Sequence, residues 1–299
     1  MNETLSIIEF NPELLVFLLI DITIAILLLS TMRYVMGLTG KVDTTDELAK
    51  KDNFAYGISV AGSVMAMGIV LTGAITGELA ETYLSEIIGM AGYGLVGLCL
   101  IKAGRWVHDK FSLNQFNKHQ LVLERNIAVA LTDAASAIAT AIIVRAVLIW
   151  VDGFDISTFV AILVGWLISQ VILLLVTRIR ERRFNRNHSM SFQQSLVQGN
   201  VAIAVRYSGH LIGTAIAVTA ASHFVYYEPD MLIAGLGAWF AISLAMMVLL
   251  KVLSHLAKRI VLMGINRDQE IEDQHNVGVA AIEFAINLGL ALVLSALMA

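Results

Sequence analysis

The chain has 299 residues, 58% of them hydrophobic and 15% charged, with a formal net charge of −4, where a soluble chain carries roughly a quarter charged side chains. That balance, with a mean hydropathy of +0.77, excludes a water-soluble globular protein, and the lack of apolar/polar alternation excludes a transmembrane β-barrel. The single cysteine, Cys99, excludes an intrachain disulfide framework and a thiolate metal site, and the charge balance gives no ground for nucleic-acid binding.

The start, MNETLSIIEF, is acidic where a secretory signal is basic, so the first apolar stretch is expected to remain as a membrane span. A hydrocarbon core about 30 Å thick needs roughly 20 helical residues. Segments of that kind follow at about 12–36, 53–77, 86–107, 126–150, 156–178, 200–224, 231–255 and 276–298. Short acidic connections (GELAETYLSE, VDGFD, YYEPD) alternate with longer basic ones such as TRIRERRFNRNHSMSFQQSLVQG. Of the 20 Lys and Arg, all but Arg145 and Arg206 lie in or beside the connections that follow odd-numbered spans. The positive-inside rule therefore makes those connections cytoplasmic and puts both termini outside. Arg145 sits near the outer end of its span, where it can snorkel. Thr44-x-x-Glu47 and Ser191-x-x-Gln194 read as capping boxes, predicting short interfacial helices or cytoplasmic extensions of the even spans.

Each even span opens on an asparagine: Asn53, Asn126, Asn200 and Asn276, at spacings of 73, 74 and 76 residues. Each continues with small residues that let helices approach closely. The expected fold is therefore an all-α integral membrane protein of eight transmembrane helices from four parallel two-helix repeats, with the even-numbered helices inward. A pseudo-fourfold or nested twofold arrangement is expected, in two four-helix domains, 1–151 and 152–299. Glycines at 89, 92, 94, 97, 235 and 237 read as helix-packing positions.

The four asparagine-led, glycine- and alanine-rich spans resemble the YjfL-like family of bacterial inner-membrane proteins of unknown function, over nearly the whole chain as two tandem domains. The resemblance implies a multi-pass protein of the bacterial inner membrane and a link to envelope-stress gene sets; it implies no activity. Arg206 and His210 in the third copy depart from the pattern of the other spans.

On a helix, positions 0, +7, +10 or +11 and +14 share a face. That face carries Asn53, Ser59 and Ser63 in the first copy, and Asn126, Asp133, Ser136 and Thr140 in the second. In the third it carries Asn200, Arg206 or Tyr207, His210 and Thr214, and in the fourth Asn276, Glu283 and Asn287. Ionisable groups at mid-helix are costly in lipid, which turns these stripes inward. Asp133 and Glu283, each seven residues past their asparagine, and Arg206, six past its own, fall at nearly one depth, about 10 Å in. They predict an ion-paired triad, or one pair and a spare carboxylate. Asp21 and His210 fall near the midplane, where they can pair, and Gln170 can join the interior network.

Two functions fit. In a channel-like or transporter-like conduit for a small ion, proton or solute, Asp133, Glu283 and Asp21 bind or relay the cation, Arg206 tunes charge, and the asparagines cap the cytoplasmic mouth. In a non-transporting scaffold the charges only lock the fold, and the basic connections, above all residues 178–198, hold a cytoplasmic partner. No zinc-protease, nucleophile-elbow or phosphate-loop motif is present, so no enzyme, cofactor or metal site is expected. Membrane lipids are expected contacts of the basic connections, and a homo-oligomer is compatible with the small-residue faces.

Overall fold

A computed structural model describes residues 12–75, 82–153 and 155–298. Among them are eight long helices and no strand: α1 (Pro12–Gly40), α2 (Phe54–Ala74), α3 (Tyr83–Val107), α4 (Ile127–Trp150), α5 (Ile156–Asn187), α6 (Val201–Thr219), α7 (Leu232–Val261) and α8 (Val277–Met298). All eight are long and apolar enough to cross a membrane. The acidic start and residues 77–81 of GELAETYLSE lie outside the described residues.

The four asparagines start the even helices in one way. The side-chain oxygen of Asn53, Asn126, Asn200 and Asn276 accepts the amide three residues on, from Tyr56, Val129, Ile203 and Val279, which satisfies an orphan donor of the first turn. The residue before each asparagine, Asp52, Arg125, Gly199 and His275, is left-handed, with φ of 48°, 69°, 84° and 57°. Only the glycine takes that conformation without cost. Two of the caps also reach the following unit. Asn53 Nδ2 donates to the carbonyls of Val122 and Leu123 at 3.2 and 3.1 Å, and Asn126 Nδ2 to those of Leu196 and Val197 at 3.1 and 2.8 Å. These are the last carbonyls of the short helices Lys118–Leu123 and Phe192–Val197, so one side chain caps the start of its own helix and the end of the next unit's short one.

The even helices stand side by side in the order α2, α4, α6, α8. Small residues set their approach: Gly62 faces Ala134 and Gly73 the backbone of Arg145, while Gly209 faces Phe284 and Gly213 the carbonyl of Asn287. Because the facing residues rise together in number, neighbouring even helices run the same way. Odd helices lie against this row, α3 on α2 and α4, α5 on α4 and α6, α7 on α6 and α8, with α1 on α2 and α3. Two expectations are corrected. The row is open, with α2 and α8 at its ends making no substantial contact, so the units close neither a fourfold ring nor a nested twofold. And α8, at one end of the row, buries only one face, through Val279, Ala280, Glu283, Asn287, Ala291 and Leu294.

Of the two forms expected for the cytoplasmic connections, short helices are found, at Lys118–Leu123 and Phe192–Val197, while the helical extension lies on an odd span. The run 177–187 forms the last turns of α5, because arginine and glutamate are good helix formers and the run has a face to bury. Glu181 accepts from Arg178 at 2.5 Å and Gln193 at 2.6 Å, and Phe184 meets Phe192 edge-on and stacks on His188. The Ser191–Gln194 capping box forms. The one at Thr44 does not: Asp43 takes the amides of Thr45 and Asp46, and the Thr44 hydroxyl lies near that of Tyr56.

Candidate functional site: two charge clusters at one register

The end of the bundle that carries the asparagine caps and the arginine-rich connections is its basic end. Among the described residues, every fully buried Asp, Glu or Lys (Glu47, Lys118, Asp133, Glu181, Lys258, Glu283) lies in that half. Four of them form two separate clusters, one in each half of the chain, Lys118 with Asp133 and Lys258 with Glu283.

In the first cluster, Asp133 of α4 is 1% exposed and meets three donors. Arg105, from the last turn of α3, reaches it with Nε at 3.0 Å and a terminal nitrogen at 2.6 Å. Lys118, which opens the short helix capped by Asn117, lies 2.5 Å from its other side. The Ser59 hydroxyl of α2 donates to Oδ2. Lys118 also pairs with Asp109, so two cations face two carboxylates. A buried carboxylate is tolerable only with such partners, since desolvation alone costs several kcal/mol per ion.

In the second cluster, Glu283 of α8, wholly buried, accepts from Arg206 Nε of α6 at 2.9 Å, Lys258 of α7 at 3.2 Å and Arg267 at 3.3 Å. Arg206 also reaches Glu272 at 2.6 Å and Asp268 at 2.7 Å. The two clusters share a geometry. Position +6 of the first even helix (Ser59, Arg206) meets position +7 of the second (Asp133, Glu283), and a cation from the basic end of the intervening odd helix (Arg105, Lys258) closes the pair.

This corrects the expected triad. Arg206 is bound to Glu283, and the cations on Asp133 are Arg105 and Lys118, residues whose charge the sequence accounted for by topology alone. Asp21 and His210 do not pair either: Asp21 lies beside Glu86 of α3, while His210 Nε2 is 3.2 Å from Lys258 Nζ, at the rim of the second cluster. Gln170 reaches the Thr140 hydroxyl at 3.4 Å, and Arg145 bonds Thr72 at 2.9 Å on an exposed face. Among the described residues no group of His, Cys, Asp and Glu is placed to hold a metal.

Outside the spans, the second cluster sets two carboxyl groups against each other. Burial works to raise Asp268, but its hydrogen bond and ion pair with Arg206 outweigh it and hold the group below its usual range. Glu272 is raised, by burial and then by the neighbouring Asp268, against the pull of Arg206. The lowered group stabilises the fold above its ordinary pKa, and that contribution is lost as pH falls through the depressed value; the raised group works in the opposite sense. Asp268→Asn is therefore expected to flatten the acid limb of melting temperature against pH below the usual carboxylate range. A limb identical to that of the parent would count against the Arg206 pair.

Where the two halves meet, His108 of the π turn His108–Ser112 donates to or accepts from the Tyr207 hydroxyl at 2.7 Å, which lies 3.0 Å from that of Thr177. Beside them is a cavity lined by His108, Ser112, Ser136, Thr140 and Gln170, among others, with 10 Å³ of room for a water's centre, enough for one water. Towards the opposite end the interior along α4 turns apolar. On α4 the buried residues after Thr140 are Ala141, Ile143, Val144, Ala146, Val147, Leu148 and Trp150, and Trp150 packs on Trp239 with its indole nitrogen bonded to the Val225 carbonyl.

A family model described as Domain of Unknown Function (DUF350) matches the chain twice, over residues 9–148 and 153–298. No curated protein and no solved structure matches it.

Proposed function

From the premise that the chain belongs to the DUF350 family, in two tandem copies of its domain, we propose that this polytopic membrane protein is a non-conducting scaffold of the bacterial inner membrane. Its basic end faces the cytoplasm, both termini face outward, and the buried charges lock the helices that hold the cytoplasmic surface in place. One observation carries this reading. Asp133 and Glu283 are each bound to two or more cations in the basic half, while on α4, in the middle of the row, every buried side chain after Thr140 is aliphatic apart from Trp150. A solute path needs polar groups or water along its whole length.

The partner-facing surface is the end of α5 and the segment after it, residues 178–198, where Arg182, Arg183 and Arg186 are exposed. A photo-crosslinking side chain introduced at Arg186 in living bacteria is expected to capture one defined cytoplasmic protein, and neutralising Arg182 and Arg183 together to abolish the adduct. A probe that yields only lipid or no adduct contradicts the scaffold.

The second reading, a conduit narrowed to protons, is favoured by the one-water cavity. His108 is 6% exposed and its Nδ1 has no hydrogen-bond partner among the described residues, so a water there would extend the chain of hydroxyls through Tyr207 and Thr177. No enzyme activity and no cofactor enter either reading.

A further inference from the structure

The second cluster does not balance. Four cations, Arg180, Arg206, Lys258 and Arg267, gather around three carboxylates, Glu283, Glu272 and Asp268. The first cluster has no such excess, with Arg105 and Lys118 facing Asp133 and Asp109. The odd cation is Arg180. It is half-buried on α5, near enough to Arg206, Glu283, Glu272 and Tyr207 to feel their charge, yet it makes no hydrogen bond or ion pair with any described residue. The carboxylates beside it are already engaged: Glu283 by three cations, Glu272 by Arg206 and by His188 at 3.1 Å, Asp268 by Arg206.

A half-buried guanidinium that no described side chain engages leaves its donors to water or to a ligand, and its planar fork suits the paired oxygens of a phosphate. Its level along the helix is also informative. Arg180 lies 24 residues past Ile156 in a helix of 32 residues. At the standard rise that is about 36 Å, just beyond a hydrocarbon core about 30 Å thick and at headgroup depth. Immediately inside it on the same helix, Leu175 and Ile179 are 44% and 50% exposed, an apolar surface next to the free cation.

We propose that Arg180, backed by Arg206 and Lys258, binds a phosphate oxyanion at the basic-end membrane surface, supplied by an anionic lipid headgroup or by a soluble phosphate. The excess charge, the unused fork and the adjoining apolar strip together define the site, and it holds whether the protein conducts or not.

The test uses the full chain in neutral detergent, with melting temperature followed as phosphatidylglycerol, phosphatidylcholine or inorganic phosphate is added at constant ionic strength. The parent and Arg182→Gln, which alters an exposed arginine on the same helix, are expected to be stabilised by phosphatidylglycerol, by phosphate or by both. Arg180→Gln is expected to need about ten-fold more of the same ligand, the loss of one charge-assisted contact. A response to phosphatidylglycerol alone assigns the lipid as source; an equal response to phosphate assigns the soluble anion. A parent that answers neither, or an Arg180→Gln protein that answers like the parent, overturns the site. Should Arg180→Gln not fold, Arg180→Lys is read in its place. It keeps the charge without the fork, so weakened binding supports the proposal and unchanged binding contradicts it.

Discussion

Glu283→Ala is expected to destabilise the protein by about 3–5 kcal/mol, the usual consequence of removing one partner from a buried ion pair. Three cations, Arg206, Lys258 and Arg267, converge on this one wholly buried carboxylate, and its loss leaves them facing each other in the interior. Unfolding in mixed micelles by a denaturing detergent would read the change. The origin can be separated from simple cavity formation by adding Lys258→Met to Glu283→Ala. Losing a second charge from the same cluster should recover part of the stability, because the apolar replacement relieves repulsion among the remaining cations. A Glu283→Ala protein within about 1 kcal/mol of the parent would mean that water reaches the cluster freely.

Gly209→Leu is expected to be comparably damaging for a different reason. A Cβ at Gly209 would lie 2.6 Å from the Cα of Phe284 and 2.9 Å from its Cβ, so relief requires moving one helix backbone away from another. Overpacking of a tight core usually costs about 1–3 kcal/mol. Here the same displacement also stretches the Arg206–Glu283 pair, one turn away on the same two helices, and a loss above 3 kcal/mol is expected. Gly237→Leu on α7 is the control: a Cβ there meets nothing within 4 Å, and its effect should stay within about 0.5 kcal/mol. Equal effects at the two positions would show that the even helices are not held at backbone contact.

The eight helices were legible because lipid imposes length and apolarity on each span independently. The asparagine register was legible because a helix cap is a local device, settled within three residues of the side chain. What escaped the sequence is what depends on which helix lies beside which. Asp133 announced itself as an intramembrane carboxylate, but nothing in one dimension shows that Arg105 and Lys118 turn inward towards it while Lys110, close to both in sequence, lies over the exposed ring of Trp106. Equal depth suggested Asp133, Arg206 and Glu283 as one group; depth is one coordinate of three, and the open row keeps their partners in separate halves. The left-handed residues before the asparagines gave a visible signal only at Gly199, because Asp52, Arg125 and His275 adopt the same backbone without advertising it. The Thr44 capping box failed to Asp43, whose carboxylate takes the amides of Thr45 and Asp46 and whose main-chain carbonyl takes that of Glu47, the amide the box needs.

The repeated cluster geometry explains why the charges can serve as a lock. Each one ties an even helix to the even helix before it and to the odd helix between them, about two turns in from the level where the caps of Asn53 and Asn126 join successive units. The most direct test of that account is proton flux into proteoliposomes that carry the full-length chain, with an inward pH gradient and a membrane potential imposed and an internal pH dye as reporter. The lock predicts entry no faster than in protein-free liposomes, for the parent and for Asp133→Asn alike. Entry that exceeds the protein-free rate and falls when Asp133 or His108 is substituted would contradict it.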